Sequence, residues 1–121
     1  MIDHLGLRVS DLAVSSAFYA RALAPLGYCV LMDHDFGVGL GTDGKPDLWL
    51  YPGAVPVDSV HVALAAPDRV TVDAFHRAAL AAGAGEVAGP RIRPEYHPGY
   101  YGAFVTDLDG YNLEVVCHSF P

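Results

Sequence analysis

Two histidines and one glutamate have the residue types and the spacing that a metal site requires. His4 and His61 each open a short apolar stretch, and they lie 57 positions apart (61 − 4 = 57). Glu114 stands in the apolar run 113–116, where a buried carboxylate is costly unless it is paired, hydrogen-bonded or bound to a metal. Imidazole and carboxylate groups are common ligands of divalent metals. These three side chains therefore predict a metal site if the fold brings them together.

The two histidines belong to an internal repeat. When residues 4–27 are compared with the positions 57 further on, eight of 24 residues are identical, including His4 with His61 and Phe18 with Phe75. Such self-similarity is the signature of two similar structural units. If a pseudo-twofold axis relates these units, equivalent residues near that axis converge, which would place His4 beside His61.

The order of predicted elements supports this repeat, because it reads strand, helix and three strands, twice. Hydrophobic patterning predicts strands at 3–9, 28–32, 36–42, 47–51, 59–65, 86–93, 101–106 and 113–117. The first helix is predicted to start at Ser10 or Asp11 and to end before Pro25, and Thr71 is predicted to cap the second helix. The sequence thus predicts one α+β domain, 1–121, with module one at 1–52, a linker at 53–58 and module two at 59–121.

An alignment of the last strand of each module shows which residue of module one is equivalent to Glu114. Each strand follows an Asp-Gly turn, at Asp43-Gly44 and Asp109-Gly110. Aligning the strands puts Trp49 at the position equivalent to Glu114. The second module then contains eight additional residues, which fit into the segment 90–101.

Composition excludes several kinds of partner. The net charge is −7, which argues against binding to a phosphate backbone. No apolar run approaches the roughly 18 residues of a membrane span, and no signal peptide is recognisable. The two cysteines, Cys29 and Cys117, suit a cytoplasmic protein with buried thiols.

The chain resembles the vicinal oxygen chelate superfamily, which includes glyoxalase I, extradiol dioxygenases and bleomycin-binding proteins. The resemblance covers essentially the whole chain, and these segments carry it: His4-Leu-Gly-Leu-Arg-Val-Ser-Asp11, Phe18-Tyr19, His61-Val-Ala-Leu64 and Phe104-Val-Thr-Asp-Leu-Asp-Gly-Tyr-Asn-Leu-Glu114. The last segment is similar to the family's closing pattern F-x-x-D-P-D-G-N-x-x-E. Leu108 replaces its usual proline and Tyr111 its usual asparagine.

The resemblance implies a fold, a cofactor and an assembly. In this family, paired βαβββ modules form a cup-shaped mixed sheet with helices on the outside. A divalent metal (zinc, nickel, manganese or iron) binds inside, and the ligands carried over to this chain are His4, His61 and Glu114. Glyoxalases usually have a fourth ligand where this chain has Trp49. The family commonly forms homodimers, sometimes by exchanging modules, so that His4 and His61 of one site come from different subunits.

The additional segment 90–101 is the predicted substrate-binding loop, since loops on a rigid scaffold often carry function. Arg91 and Arg93 are candidates to clamp an acidic group. Tyr96 and Tyr100 are candidate substrate contacts, whereas His97, Tyr101 and Glu114 are candidate catalytic groups. Trp49 and Tyr51 are candidates for an apolar wall. An ordered surface loop or a dimer contact remains the alternative for this segment.

Two classes of function follow from these expectations. The first is a glyoxalase-like metal-dependent lyase or isomerase acting on a small substrate that is chelated through vicinal oxygens, where the metal serves as a Lewis acid. The second is a metal-free protein that sequesters a drug or metabolite, with the same three residues joined by hydrogen bonds under the pocket. A small extradiol-type dioxygenase is a third possibility.

Overall fold

The two predicted βαβββ modules are confirmed in a computed structural model that describes residues 1–56 and 60–118. Module one consists of β1 (Leu5–Val9), α1 (Leu12–Ala22), a short 3-10 helix (Ala24–Leu26), β2 (Cys29–His34), β3 (Gly37–Thr42) and β4 (Lys45–Pro52). Module two consists of β5 (His61–Ala65), α2 (Arg69–Ala81), β6 (Gly85–Ile92), β7 (Tyr101–Thr106) and β8 (Asn112–Cys117). The boundaries at 52 and 59 stay predictions, because residues 57–59 lie outside the described residues.

Each module forms its own open four-stranded sheet. The strand orders are β1-β4-β3-β2 and β5-β8-β7-β6. In each sheet the first strand pairs in parallel with the last, and the remaining neighbours are antiparallel. No helix within the described residues is long and apolar enough to cross a membrane.

Both helices begin at an aspartate, at equivalent positions of the repeat. The Asp11 carboxylate accepts a hydrogen bond from the Val14 backbone N–H at 3.1 Å, which confirms one of the two predicted caps. The predicted cap of α2 was wrong. Asp68 caps that helix, and Thr71 donates to it through its backbone N–H at 2.8 Å. An aspartate side chain at this position satisfies an N–H that the helix cannot pair internally.

The helices cover one face of each sheet and contact each other. α1 packs on β2, β3 and β4, and α2 packs on β6, β7 and β8. One buried hydrophobic cluster includes Phe18 of α1, Phe75 of α2, Leu50 of the first sheet and Val115 of the second. One face of each sheet therefore belongs to this shared core, and the opposite face, here called the open face, points away from it.

The strand register confirms the predicted alignment of the two modules. Trp49 of β4 lies beside Gly6 of β1, and Glu114 of β8 lies beside Ala63 of β5. Gly6 and Ala63 are 57 positions apart, so Trp49 and Glu114 are structural equivalents. Both side chains are on the open faces, since Leu48, Leu50, Leu113 and Val115, which flank them, belong to the core.

A buried carboxylate links the β7–β8 turn to α1. One oxygen of Asp107 accepts hydrogen bonds from the backbone N–H groups of Asp109 and Tyr111, both at 2.9 Å, and the other accepts from the Tyr19 hydroxyl. Burial raises the pKa of Asp107 above its usual 3.8, although these hydrogen bonds oppose the shift. This aspartate belongs to the family-like closing segment, and its role here is to join the modules.

Replacing Asp107 with alanine is expected to lower the free energy of unfolding by about 3 kcal/mol or more, because the donors of three hydrogen bonds lose their acceptor. Urea denaturation checks this value. Asp107→Asn is the matched control. Its side-chain oxygen still accepts from the backbone, and its amide can donate to Tyr19, so we expect a smaller loss.

The difference in stability between the wild type and Asp107→Asn is expected to depend on pH. A carboxyl group whose pKa is raised on folding releases its proton more readily when unfolded, so stability falls as pH rises from 3.8 through the folded pKa. The stability of the wild type relative to Asp107→Asn is therefore expected to decrease over that range. A difference that increases with pH would contradict the assignment.

Candidate functional site

Glu114 is the centre of the candidate site. Its side chain is on the open face of the second sheet and is only 1% exposed. One carboxylate oxygen lies 2.9 Å from His61 Nε2, and the other accepts a hydrogen bond from the Tyr100 hydroxyl. The predicted buried acid is therefore paired on both oxygens, as burial of a carboxylate demands.

His61 and Glu114 line an open cavity of about 310 Å³. Its other walls are aromatic and come from Tyr96, Tyr100 and Phe104. The imidazole of His61 lies 6.0 Å from the Phe104 ring, centroid to centroid, and Tyr96 lies 4.8 Å from Tyr100. A polar pair at the base of an apolar cavity is the usual composition of a small-molecule site.

Tyr100 serves here as a hydrogen-bond donor. Burial, and then the hydrogen bond to Glu114, raise the pKa of its hydroxyl above 10.0. The phenol therefore stays protonated at neutral pH, which disfavours a role as a tyrosinate base. Its position fixes one oxygen of Glu114 and leaves the other oxygen facing His61.

The predicted loop brings its basic residues to different environments. Arg93 is 6% exposed, and its guanidinium carbon lies 4.6 Å from the centroid of the Phe104 ring. Arg91 is exposed and pairs with Glu95 at 3.0 Å. The two arginines of the predicted clamp are therefore separated, since one guanidinium lies over a wall of the cavity and the other lies on the surface.

His97 lies at the edge of the site, against a second histidine. Its Nε2 is 2.8 Å from Nδ1 of His118, and its Nδ1 accepts from the backbone N–H of Gly99 at 3.1 Å. That second bond assigns the proton of a neutral His97 to Nε2, which then donates to His118. Both rings contact Tyr100, with centroids 5.4 and 5.3 Å from it.

Tyr101 lies on the opposite side of the sheet from Glu114. Its hydroxyl donates to Asp73 of α2 at 2.6 Å, and the guanidinium of Arg69 is 5.0 Å from its ring centroid. Burial and the bond to Asp73 raise its pKa to about 12. The structure thus places this predicted catalytic residue against the helix, outside the cavity.

Trp49 and Tyr51 occupy the open face of the first sheet. Their rings are stacked, with centroids 6.2 Å apart. A Cβ atom added to Gly37 would lie 2.8 Å from the Tyr51 ring, and one added to Gly39 would lie 3.0 Å from the Trp49 ring. The glycines of β3 therefore allow both aromatic rings to lie flat on the strand.

His4 is separated from the other two predicted ligands within one chain. It precedes β1, is exposed and lines a different cavity of about 200 Å³, together with Tyr28 and Asp47. Its Nδ1 is 2.8 Å from Asp3. Within residues 1–56 and 60–118, no group of three or more His, Cys, Asp or Glu side chains has the geometry to hold a metal ion.

The pair formed by His61 and Glu114 nevertheless fits part of a metal site. Two ligands at right angles, with bonds of about 2.1 Å to one ion, lie about 3 Å apart. The Nε2 and Oε1 atoms are separated by 2.9 Å, and the chemistry of both suits a divalent transition metal. One chain therefore supplies two of the three predicted donors at a compatible distance.

A match to a protein-family model identifies the family of this chain. Residues 1–115 match the Glyoxalase/Bleomycin resistance protein/Dioxygenase superfamily. The chain belongs to this superfamily. These are the vicinal oxygen chelate proteins, as the sequence motifs predicted. No curated protein matches the chain as a relative.

Solved structures of superfamily members share the fold. A glyoxalase/bleomycin resistance protein from Albidiferax ferrireducens T118 is 24% identical, with a TM-score of 0.76 over 95% of this chain and 97% of that one. TioX from Micromonospora sp. ML1 is 19% identical, with a TM-score of 0.74 over 98% and 99%. Lactoylglutathione lyase from Agrobacterium tumefaciens is 21% identical, with a TM-score of 0.69 over 97% and 92%. At these identities the likeness concerns the fold alone.

Three features of the site were missed in the sequence. Tyr100 was expected to contact substrate, and the structure makes it the donor to Glu114. In the sequence, Phe104 was assigned only to the family-like motif. In the structure it pairs with Glu114 across β7 and β8 and forms a wall of the cavity. His118 was not among the predicted site residues, because nothing in the sequence links it to His97.

Proposed function

We propose that this protein is a metal-dependent enzyme of glyoxalase type, with lyase or isomerase chemistry on a small substrate that is chelated through vicinal oxygens. The observation that carries this proposal is the buried Glu114, held 2.9 Å from His61 beside an open aromatic cavity. The imidazole of His61 is half-exposed, so it is accessible from the cavity while the buried carboxylate holds it in place. A cytoplasmic location suits the proposal, but it rests on composition only.

The third ligand would come from a second copy of the chain. Within the described residues of one chain, His4 and His61 line different cavities, and no three possible ligands come together. A homodimer that places the open face of one protomer's first sheet over the second sheet of its partner would bring His4 to His61 and Glu114. The same arrangement would add Trp49 and Tyr51 to the apolar wall of the cavity.

The bound metal would supply Lewis-acid stabilisation of the negative charge that develops on the substrate's oxygens. His61 and Glu114 would hold it, with His4 of the partner. Tyr100 would orient Glu114 by donating to its second oxygen. A role for His97 as proton acceptor would require one of its hydrogen bonds to open, since both ring nitrogens of its neutral form are occupied, by His118 and by Gly99.

A second candidate function is favoured by one specific observation. His61, Glu114 and Tyr100 already form a hydrogen-bonded trio that satisfies the carboxylate without any ion. The same cavity would then serve a binding protein that sequesters a drug or metabolite. The net charge of −7 suits a cationic ligand for such a protein.

Elemental analysis of the untagged protein, purified without chelator and supplied with zinc, nickel, manganese and iron in turn, separates the two functions. The enzyme predicts one metal ion per site, removed by a chelator and restored on titration. The binding protein predicts no uptake and ligand binding that a chelator leaves unchanged. Absence of uptake for all four metals would overturn the enzyme proposal.

A further inference from the structure

Within the described residues, the side chain of Arg93 is a buried cation without a carboxylate partner. Only 6% of the residue is exposed. Its Nε atom is buried and has no hydrogen-bond partner within the described residues, and Nη2 donates only a long bond, of 3.4 Å, to the Gly89 carbonyl. None of the ion pairs found in residues 1–56 and 60–118 includes Arg93. Such a charge is costly unless something pairs with it.

The carboxylate of Glu114 is not paired with Arg93 within the described residues. Both oxygens of Glu114 are already engaged, by His61 and by Tyr100. The nearest acid in the loop, Glu95, pairs with Arg91. The guanidinium of Arg93 packs on the face of the Phe104 ring. This cation–π contact offsets only part of the free-energy cost of burying the charge.

Arg93 lies directly beside two walls of the cavity. Its backbone N–H donates to the Tyr100 carbonyl at 2.7 Å, so the two residues are direct cross-strand neighbours on the same face. Tyr100 and Phe104, the two residues it contacts, are both walls of the cavity that contains Glu114. A ligand in this cavity would therefore lie against the His61–Glu114 pair and beside the two residues that Arg93 contacts.

We infer that Arg93 binds an anionic group, a carboxylate or a phosphate, on the small molecule that occupies this cavity. A guanidinium presents its donors as a planar fork that matches two oxygens of such a group. Aromatic walls and a volume of about 310 Å³ suit an unsaturated or aromatic acid of modest size. This inference rests on the proposed ligand-binding role of the cavity, and it specifies the charge of the ligand.

Benzoate and benzamide form a matched pair of probes, because they have nearly the same shape and differ in charge. Calorimetric titration in the presence of a chelator removes any contribution from metal. The wild type is expected to bind benzoate about tenfold or more tightly than benzamide, since a charged hydrogen-bonded pair supports a factor of that size. Arg93→Met is expected to lose this preference, and Arg93→Lys to keep part of it. Arg91→Met, which removes the exposed arginine, is the control and should keep all of it.

Thermal unfolding gives an independent measurement. Replacing an unpaired buried charge by an apolar side chain of similar length is expected to leave the melting temperature unchanged or to raise it. Benzoate should raise the melting temperature of the wild type and of Arg91→Met, but not that of Arg93→Met. A large loss of stability in ligand-free Arg93→Met would indicate a structural role and overturn the inference.

Phenylphosphonate in place of benzoate identifies the anion. Tighter binding of the phosphonate assigns a phosphate-bearing ligand, and tighter binding of benzoate assigns a carboxylate. Equal binding of benzoate and benzamide by the wild type would overturn the inference. That failure is distinguishable from failure of the proposed enzyme, because metal uptake by His61 and Glu114 is measured separately.

Discussion

Replacing His61 with alanine is expected to abolish tight binding of a divalent metal, with a loss of affinity of at least about 100-fold. Loss of a residue that only orients a ligand already costs 10- to 100-fold, and the imidazole of His61 is itself the proposed ligand, 2.9 Å from the Glu114 oxygen. Metal content after dialysis, and competition with a chelator of known affinity, measure this effect. Catalytic activity on any substrate found later should fall with it.

His76→Ala is the matched control for this experiment. His76 is also an imidazole within 2.8 Å of a glutamate, Glu86, but that pair lies on the surface and away from the cavity. We expect its metal content to equal that of the wild type. If His61→Ala retained full metal content while His76→Ala lost it, the proposed centre would be wrong.

Glu114 distinguishes a metal ligand from a hydrogen-bonded core acid. In Glu114→Gln the amide keeps the shape of the side chain and can still bond to Tyr100, but it loses the negative charge that a metal ligand needs. A metal site predicts loss of uptake with the fold retained. This comparison is informative because Glu114 is 1% exposed, so that any truncation to alanine would leave a cavity and lower stability as well.

The repeat made much of the fold predictable. An offset of 57 relates His4 to His61 and carries the strand–helix order from one module to the other, and the equivalence of Trp49 with Glu114 follows from the two Asp-Gly turns. Local patterns of this kind reflect nearest neighbours in the chain. They predicted β7 at its observed bounds, Tyr101–Thr106, whereas the cap of α2 was misassigned because Asp68 and Thr71 are both good cap residues.

The site was less predictable, because it depends on the side of the sheet that each residue faces. Tyr100 and Tyr101 are adjacent and chemically identical, yet alternation along the strand sends Tyr100 to Glu114 and Tyr101 to Asp73 of α2. Alternation does not separate Arg91 from Arg93, which are two residues apart, yet Arg93 is buried over Phe104 and Arg91 is exposed. The exact register of an irregular segment decides these outcomes, and the bulges of β6 cannot be located from composition.

The burial of the two cysteines was also only partly predictable from the sequence. Both were expected to be buried, and Cys117 is buried in the core, whereas Cys29 at the start of β2 is exposed. Cys29 belongs to a strand at the edge of its sheet, beyond β3. An edge strand has fewer neighbours to cover it, so hydrophobicity alone overestimates its burial.

A mixed dimer of His4→Ala and His61→Ala chains is expected to recover a metal site that neither variant has alone. In the proposed assembly, His4 of one protomer completes the site of its partner. The intact His4 of the second variant then meets the intact His61 and Glu114 of the first, and the other site lacks both histidines. Metal content of mixed dimers, isolated through two different affinity tags, should be about half that of the wild type, because a twofold assembly has two equivalent sites.

The alternative arrangement predicts a different result for the same sample. If each site used His4 and His61 of one chain, every site in the mixed dimer would lack one histidine, and its metal content would match that of the two parent variants. The proposed assembly predicts recovery. Within one described chain, His4 and His61 line different cavities, although residues 62–64 of β5 also line the cavity of His4. A second copy that covers the His61 cavity with its own His4 would bring the two imidazoles to one ion.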